Sequence, residues 1–181
     1  QVKKNCLLFQ YKKVFITVGT TRFDLLVEYV DNEDIFDAFK ELGVEEVLFQ
    51  VGNSDVQELG TTIKDGIKYT KYRFKNSIHE DIINADLVIS HAGAGTCMEV
   101  LELRKPLMVV VNESLMDNHQ IELAEQLQND GHAAYSICDA LGETLMSVDF
   151  RLLVPLPPSS IIIQNTHQTN CEQINYSLIV K

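Results

Sequence analysis

The sequence predicts a Rossmann-like three-layer α/β sandwich on a mostly parallel sheet. Three observations carry that expectation. Apolar runs rich in β-branched residues recur along the chain, helix-length stretches separate most of them, and the runs are nearly continuous in hydrophobicity. Strands of that kind are buried on both faces, as in a parallel sheet covered by helices.

The elements follow in order. The first strand is "KKVFITVG" at 12–19, and a helix is expected over 24–42, where Leu, Ile, Val and Ala recur at three- and four-residue spacing. "EEVLFQVG" at 45–52 is the second strand. The polar, glycine-bearing stretch 52–66 is expected to be a loop. "IKYTKYRF" at 67–74 is the next strand, and "SIHE" at 77–80 is a capping box that opens a helix over 76–85. "DLVISHAG" at 86–93 is a strand followed by a helix over 95–105. "PLMVVVN" at 106–112 precedes a helix over 118–130, and "HAAYSI" at 132–137 precedes a last helix over 138–147.

A chain of 181 residues with 45% hydrophobic content holds one domain with a proper core, expected from about 12 to 158. The flanks 1–11 and 159–181 are atypical and poorly specified. With 15 basic and 26 acidic residues the net charge is −11, which argues against nucleic acid as a partner and against adhesion to an anionic membrane. Cys6, Cys97, Cys138 and Cys171 form no C-x-x-C pair, a pattern that fits a reducing compartment. No apolar run approaches the roughly 18 residues of a membrane span. The expected location is the cytoplasm, with the chain either free or docked on a partner.

In open parallel sheets, ligands bind outside the carboxyl ends of the strands. Three loops there carry polar groups. After the first strand come Gly19, Thr20 and Thr21. After the strand at 86–91 come His91, Gly93, Gly95 and Thr96, where backbone amides and a helix N-terminus suit an anion, with Glu99 expected on the first helical turn to accept from ribose hydroxyls. His119 and Gln120 open the helix 118–130 and suit sugar hydroxyls. Simpler roles stay open: "TCME" at 96–99 and "DNHQ" at 117–120 are themselves capping-box patterns, the glycines could serve helix-to-sheet packing, and His91 could be a satisfied buried histidine. No P-loop run exists, Met98 stands where a dinucleotide fingerprint requires a third glycine, and no G-x-S-x-G elbow is present. No metal site is expected, since no clear carboxylate or cysteine stands at ligand spacing with His91 and His119.

"VFITVGTTRFDLL", the run from "KYRFKNSIHEDIINADLVISHAGAGTCMEV" to "NHQIELAEQL", and "LVPLPPSS" closely resemble the cytosolic subunits of eukaryotic UDP-N-acetylglucosamine transferase over about residues 12–158. More distantly they are similar to the donor-binding half of the bacterial peptidoglycan GlcNAc transferase. The resemblance implies the donor half of a GT-B glycosyltransferase, which adds the second GlcNAc to dolichol-diphosphate-GlcNAc in N-glycan precursor synthesis, with inversion and with no cofactor beyond the donor substrate UDP-GlcNAc. It implies that His91, Gly93, Gly95 and Thr96 contact the donor diphosphate, Glu99 the ribose, and Gln120 with His119 the GlcNAc hydroxyls, with Gly19 and Thr20 lining the other side of the phosphates. It further implies a membrane-anchored, acceptor-binding partner subunit at the cytosolic face of the endoplasmic reticulum. The general base is unassigned and is sought on that partner. Relatives continue into a C-terminal helix that packs on the membrane subunit, whereas the tail after 158 shows no amphipathic face. That tail is expected to weaken partner binding and leave the donor site intact. The other functional class that fits is a non-catalytic nucleotide-sugar-binding or regulatory paralogue, and a nucleotide-dependent oxidoreductase is disfavoured by the missing glycine.

Overall fold

A computed structural model of the chain describes residues 11–112 and 118–157. The expectations for the flanks 1–10 and 159–181 fall outside the described residues. Among the described residues, seven strands form one sheet in the order β3-β4-β2-β1-β5-β6-β7. They are β1 (Lys13–Thr17), β2 (Glu46–Gln50), β3 (Gly60–Lys64), β4 (Ile67–Tyr72), β5 (Leu87–His91), β6 (Leu107–Val111) and β7 (Ala134–Ile137). All neighbours are parallel except β3 and β4. The helices are α1 (Asp24–Val30), α2 (Glu33–Leu42), α3 (His79–Asn84), α4 (Ala94–Glu102), α5 (Asn118–Asn129) and α6 (Leu141–Ser147). Among them, none is long and apolar enough to cross a membrane.

The strand composition explains the three layers. Successive side chains of a strand point to opposite faces, and β1 is buried at every position from Val14 to Thr17. Val14 and Ile16 join one core with Leu26 and Val27 of α1, Phe36 and Phe39 of α2, and Leu141 and Leu145 of α6. Phe15 joins the other, with Ile82 of α3, Cys97 and Val100 of α4, and Leu123 and Leu127 of α5. Each fully buried Phe, Ile or Leu contributes about 1.5–3 kcal/mol relative to exposure, so both faces supply strong driving force. The chain leaves β1 toward β2 on one side of the sheet, whereas β5 and the strands after it extend the other side. The order therefore reverses between β1 and β5, and the loops that follow them diverge there, which is where open α/β sheets place ligands.

Three expectations need correction. The helix expected over 24–42 is two helices, because Asn32 caps a new one by accepting from the Asp34 N–H at 3.4 Å. The stretch 52–66 is not all loop: residues 60–64 form β3, antiparallel to β4. Asp65 and Gly66, with φ of 48° and 88°, make the tight hairpin turn that two left-handed residues permit. Every residue of β3 is exposed, which is why its sequence looks like loop. Finally, the capping box at 77–80 works only in part. Ser77 Oγ accepts from the His79 N–H at 3.1 Å, and the helix begins at His79.

Candidate functional site

The loop after β1 is built by side chains at strand ends. Thr17, buried, donates through Oγ1 to Gln50 Oε1 of β2 at 2.5 Å and accepts from the Gly19 N–H at 2.9 Å. Gly19 turns the chain with φ of 60°, a conformation that disfavours any residue with a β-carbon. The carbonyl of Thr20 accepts from Asn53 Nδ2 at 2.8 Å, and the Asn53 N–H donates to the Thr21 carbonyl at 2.9 Å. Arg73 in turn donates to the carbonyls of Gly52 and Ser54, at 3.2 and 2.9 Å. The loops after β1, β2 and β4 are thus one hydrogen-bonded rim, with Thr20 exposed on it.

The loop after β5 is fixed through the backbone of His91. Its carbonyl accepts from the Gly93 N–H at 2.7 Å, from Ser90 Oγ at 2.9 Å and from Cys97 Sγ at 3.7 Å. Burial pushes the Cys97 thiol up to about 12, so it serves as a neutral donor. The His91 ring occupies the space between two glycines. A β-carbon at Gly19 would lie 2.8 Å from Cε1, and one at Gly93 would lie 2.5 Å from Nε2. These glycines therefore make room for the imidazole. His91 is buried, yet its Nδ1 makes no hydrogen bond of ordinary geometry.

Desolvation lowers the His91 pKa below the ordinary 6.5, only partly offset by the Thr17 backbone. The unfolded chain therefore binds a proton near pH 6.5 that the folded chain refuses until lower pH. Stability is unaffected by this group above that value and falls as pH drops toward the folded pKa. Urea unfolding at pH 7.5 and 5.5 checks the sign: His91→Gln should lose less stability on acidification than the unsubstituted chain.

Helix α4 begins one residue earlier than expected, at Ala94, with Gly93 as its N-cap and no side-chain cap bond. Thr96 is therefore the third helical residue and no cap, and the capping-box reading of 96–99 fails. Glu99 lies on the second turn, one turn deeper than expected, and is half-buried. Its carboxylate Oε1 is 2.9 Å from His79 Nδ1 at the start of α3. Gly95 is exposed, and a β-carbon there would have no neighbour within 4 Å. Position 95 needs no glycine for packing, but a bare backbone there lets an anion approach the free amides of the first turn.

Charge placement supports the same end of α4. Helices α1, α2, α3 and α6 each carry acidic residues in the first turn, the usual complement to a helix dipole. In this acidic chain α4 and α5 carry none there. Helix α5 presents Gln120 in its first turn, on the side of the sheet where β6 ends; the side chain of His119 and residues 113–117 lie outside the described residues. Two grooves lie elsewhere. One of about 360 Å³ between α2 and α6 is lined by Asp34, Asp37, Glu41, Asp139 and Glu143, a charge that repels phosphate, and one of about 220 Å³ is lined by Arg104, Lys105 and Arg151. Neither includes His91, Gly93 or Gly95. Sequence reasoning missed His79, Asn53 and Arg73, whose roles come from long-range hydrogen bonds that no local spacing announces.

Residues 13–148 match the family model for the glycosyltransferase family 28 C-terminal domain. The chain belongs to that family. Among curated proteins it is 49% identical over 131 residues to the UDP-N-acetylglucosamine transferase subunit ALG13 of Homo sapiens, covering 72% of this chain and 11% of that protein. It is 29% identical over 197 residues to the same subunit of Kluyveromyces lactis, covering 92% and 98%. The chain thus spans about a tenth of the human relative and nearly all of the yeast one. Among solved structures, the solution structure of ALG13 aligns with a TM-score of 0.63 at 26% identity, over 83% of this chain and 91% of that one. MurG of Acinetobacter baumannii aligns with a TM-score of 0.59 at 21% identity, over 80% and 43%, a likeness of fold. The family 28 assignment agrees with a glycosyltransferase domain of GT-B type.

Proposed function

We propose that this chain is the UDP-GlcNAc-binding subunit of a two-subunit inverting transferase that adds the second GlcNAc to dolichol-diphosphate-GlcNAc. A membrane-anchored, acceptor-binding subunit completes the site at the cytosolic face of the endoplasmic reticulum. The observation that carries this reading is the buried His91 ring set between Gly19 and Gly93 beside the open, acid-free N-terminus of α4. The subunit names of the relatives support the partner.

In this reading the α4 amides, the Thr96 hydroxyl and His91 hold the diphosphate, with Gly19 and Thr20 on its other side. Glu99 takes the ribose, and Gln120 with His119 takes the GlcNAc hydroxyls. The acceptor 4-hydroxyl oxygen attacks the anomeric carbon, the bond from that carbon to the β-phosphate oxygen breaks, and the hydroxyl proton passes to a base. That base is assigned to the partner, because His91 is enclosed and Glu99 is engaged by His79. Negative charge grows on the departing UDP. Amides already aimed at it stabilise the transition state more than the ground state, and removing one such donor typically costs about 10²–10³ in rate. Charge stabilisation of this kind proceeds without a metal or cofactor.

The test is GlcNAc transfer from UDP-GlcNAc to a dolichol-diphosphate-GlcNAc analogue by this chain co-expressed with a membrane subunit. Turnover is expected. UDP binding without turnover, where a relative with a regular C-terminal helix is active, overturns the catalytic assignment in favour of a nucleotide-sugar-binding paralogue.

A further inference from the structure

We infer that His79 is a positioning residue for the nucleotide, holding the Glu99 carboxylate in the orientation that selects a ribonucleotide. This rests on the assignment of Glu99 to the ribose. The two side chains come from different helices, α3 and α4, and meet at 2.9 Å through Nδ1 and Oε1. An ionised carboxylate can only accept, so Nδ1 carries the hydrogen whichever charge state the imidazole adopts. One His79 donor occupies one of about four lone-pair positions on Glu99 and leaves Oε2 for vicinal sugar hydroxyls.

The surroundings fix this arrangement. The backbone of His79 is set by its N–H bond to Ser77 Oγ at 3.1 Å, which anchors the first residue of α3. Asp81, two residues further along α3, is engaged by Lys75 Nζ at 2.7 and 2.8 Å and by the Tyr72 hydroxyl. Glu99 is more than a third exposed, so an unheld side chain would populate several rotamers. A single held rotamer spares the nucleotide the entropy of ordering it, which is the benefit of preorganisation. His79 also keeps a negative charge in place beside the sugar and away from the diphosphate end of α4.

The experiment compares UDP with 2′-deoxyuridine diphosphate as ligands of the full chain, titrated by saturation-transfer NMR, in the unsubstituted protein and in His79→Ala, His79→Asn and Glu99→Ala. The unsubstituted chain should prefer UDP. His79→Ala should reduce that preference by about tenfold, the scale of one hydrogen bond to a charged group, while leaving the deoxy ligand almost unaffected. His79→Asn, whose amide nitrogen falls near the position of Nδ1, should restore most of it, and unchanged melting temperatures confirm that all variants are folded. A wild-type preference in His79→Ala beside a lost preference in Glu99→Ala overturns the role of His79 while the ribose assignment stands. A preference that survives Glu99→Ala, or is absent from the unsubstituted chain, overturns the ribose assignment and this inference with it.

Discussion

Gly95→Asp is expected to stabilise the protein and to weaken its donor binding by at least about a hundredfold. The new side chain meets no heavy atom within 4 Å of its β-carbon, and the backbone there is not left-handed, so the fold accepts it. Replacing a helical glycine restricts the unfolded chain, by roughly 0.5–1 kcal/mol. An acid in the first turn of α4, which has none, adds about 0.3–1 kcal/mol through the helix dipole. A gain of that size raises the melting temperature by about 2–4 °C or somewhat more. In the proposed donor site the same carboxylate would stand where the diphosphate approaches the α4 amides. Two like charges about 4 Å apart repel by roughly 4 kcal/mol at an effective dielectric constant near 20, so UDP should bind at least about a hundredfold more weakly. Thermal unfolding and UDP titration of one preparation give both signs. Donor affinity at the wild-type level would show that the first turn of α4 is not the phosphate site.

That opposition explains why the glycine hinge was legible in the sequence while its support was not. Glycines and a histidine packed into seven residues at a strand-to-helix junction are a local pattern, and local patterns follow from backbone geometry. The parallel strands were legible for the same reason, since β1, β5 and β6 are nearly continuous apolar runs. The break at Asn32 was missed because hydrophobic spacing continues through it, although Asn is itself a cap. β3 was missed because an edge strand with every residue exposed has no apolar face to signal, and only Asp65-Gly66 marked its turn. His79 meets Glu99 across 20 residues, and Asn53 meets Thr20 across 33. Such contacts exist only once the sheet has brought its loops together. The first-turn placement of Glu99 failed for a smaller reason: without a side-chain cap at Gly93, helix α4 starts as soon as the chain leaves the turn.

The fit of the His91 ring between two glycines predicts a strongly non-additive pair of substitutions. Gly93→Ala alone places a methyl group 2.5 Å from Nε2 and 2.7 Å from Cε1, well inside contact distance. The ring must move or the backbone must yield, and overpacking of this kind costs about 1–3 kcal/mol. In the proposed site it also displaces the His91 imidazole, so transfer should fall by about a hundredfold or more, the scale of a misplaced catalytic geometry. His91→Ala removes the obstacle itself. In that background Gly93→Ala should cost close to nothing in stability, giving a coupling energy of about 1–3 kcal/mol between the two positions. Gly19→Ala provides the internal contrast. It too meets His91, at 2.8 Å, but its φ of 60° remains unfavourable for alanine after the ring is gone. Its cost should therefore shrink in the His91→Ala background without vanishing, leaving about 1 kcal/mol of backbone strain. Urea unfolding of the six proteins decides the matter. Additive costs at Gly93 would mean that the glycine answers to the backbone rather than to the imidazole, and the cradle would have to be explained without His91 as its wall.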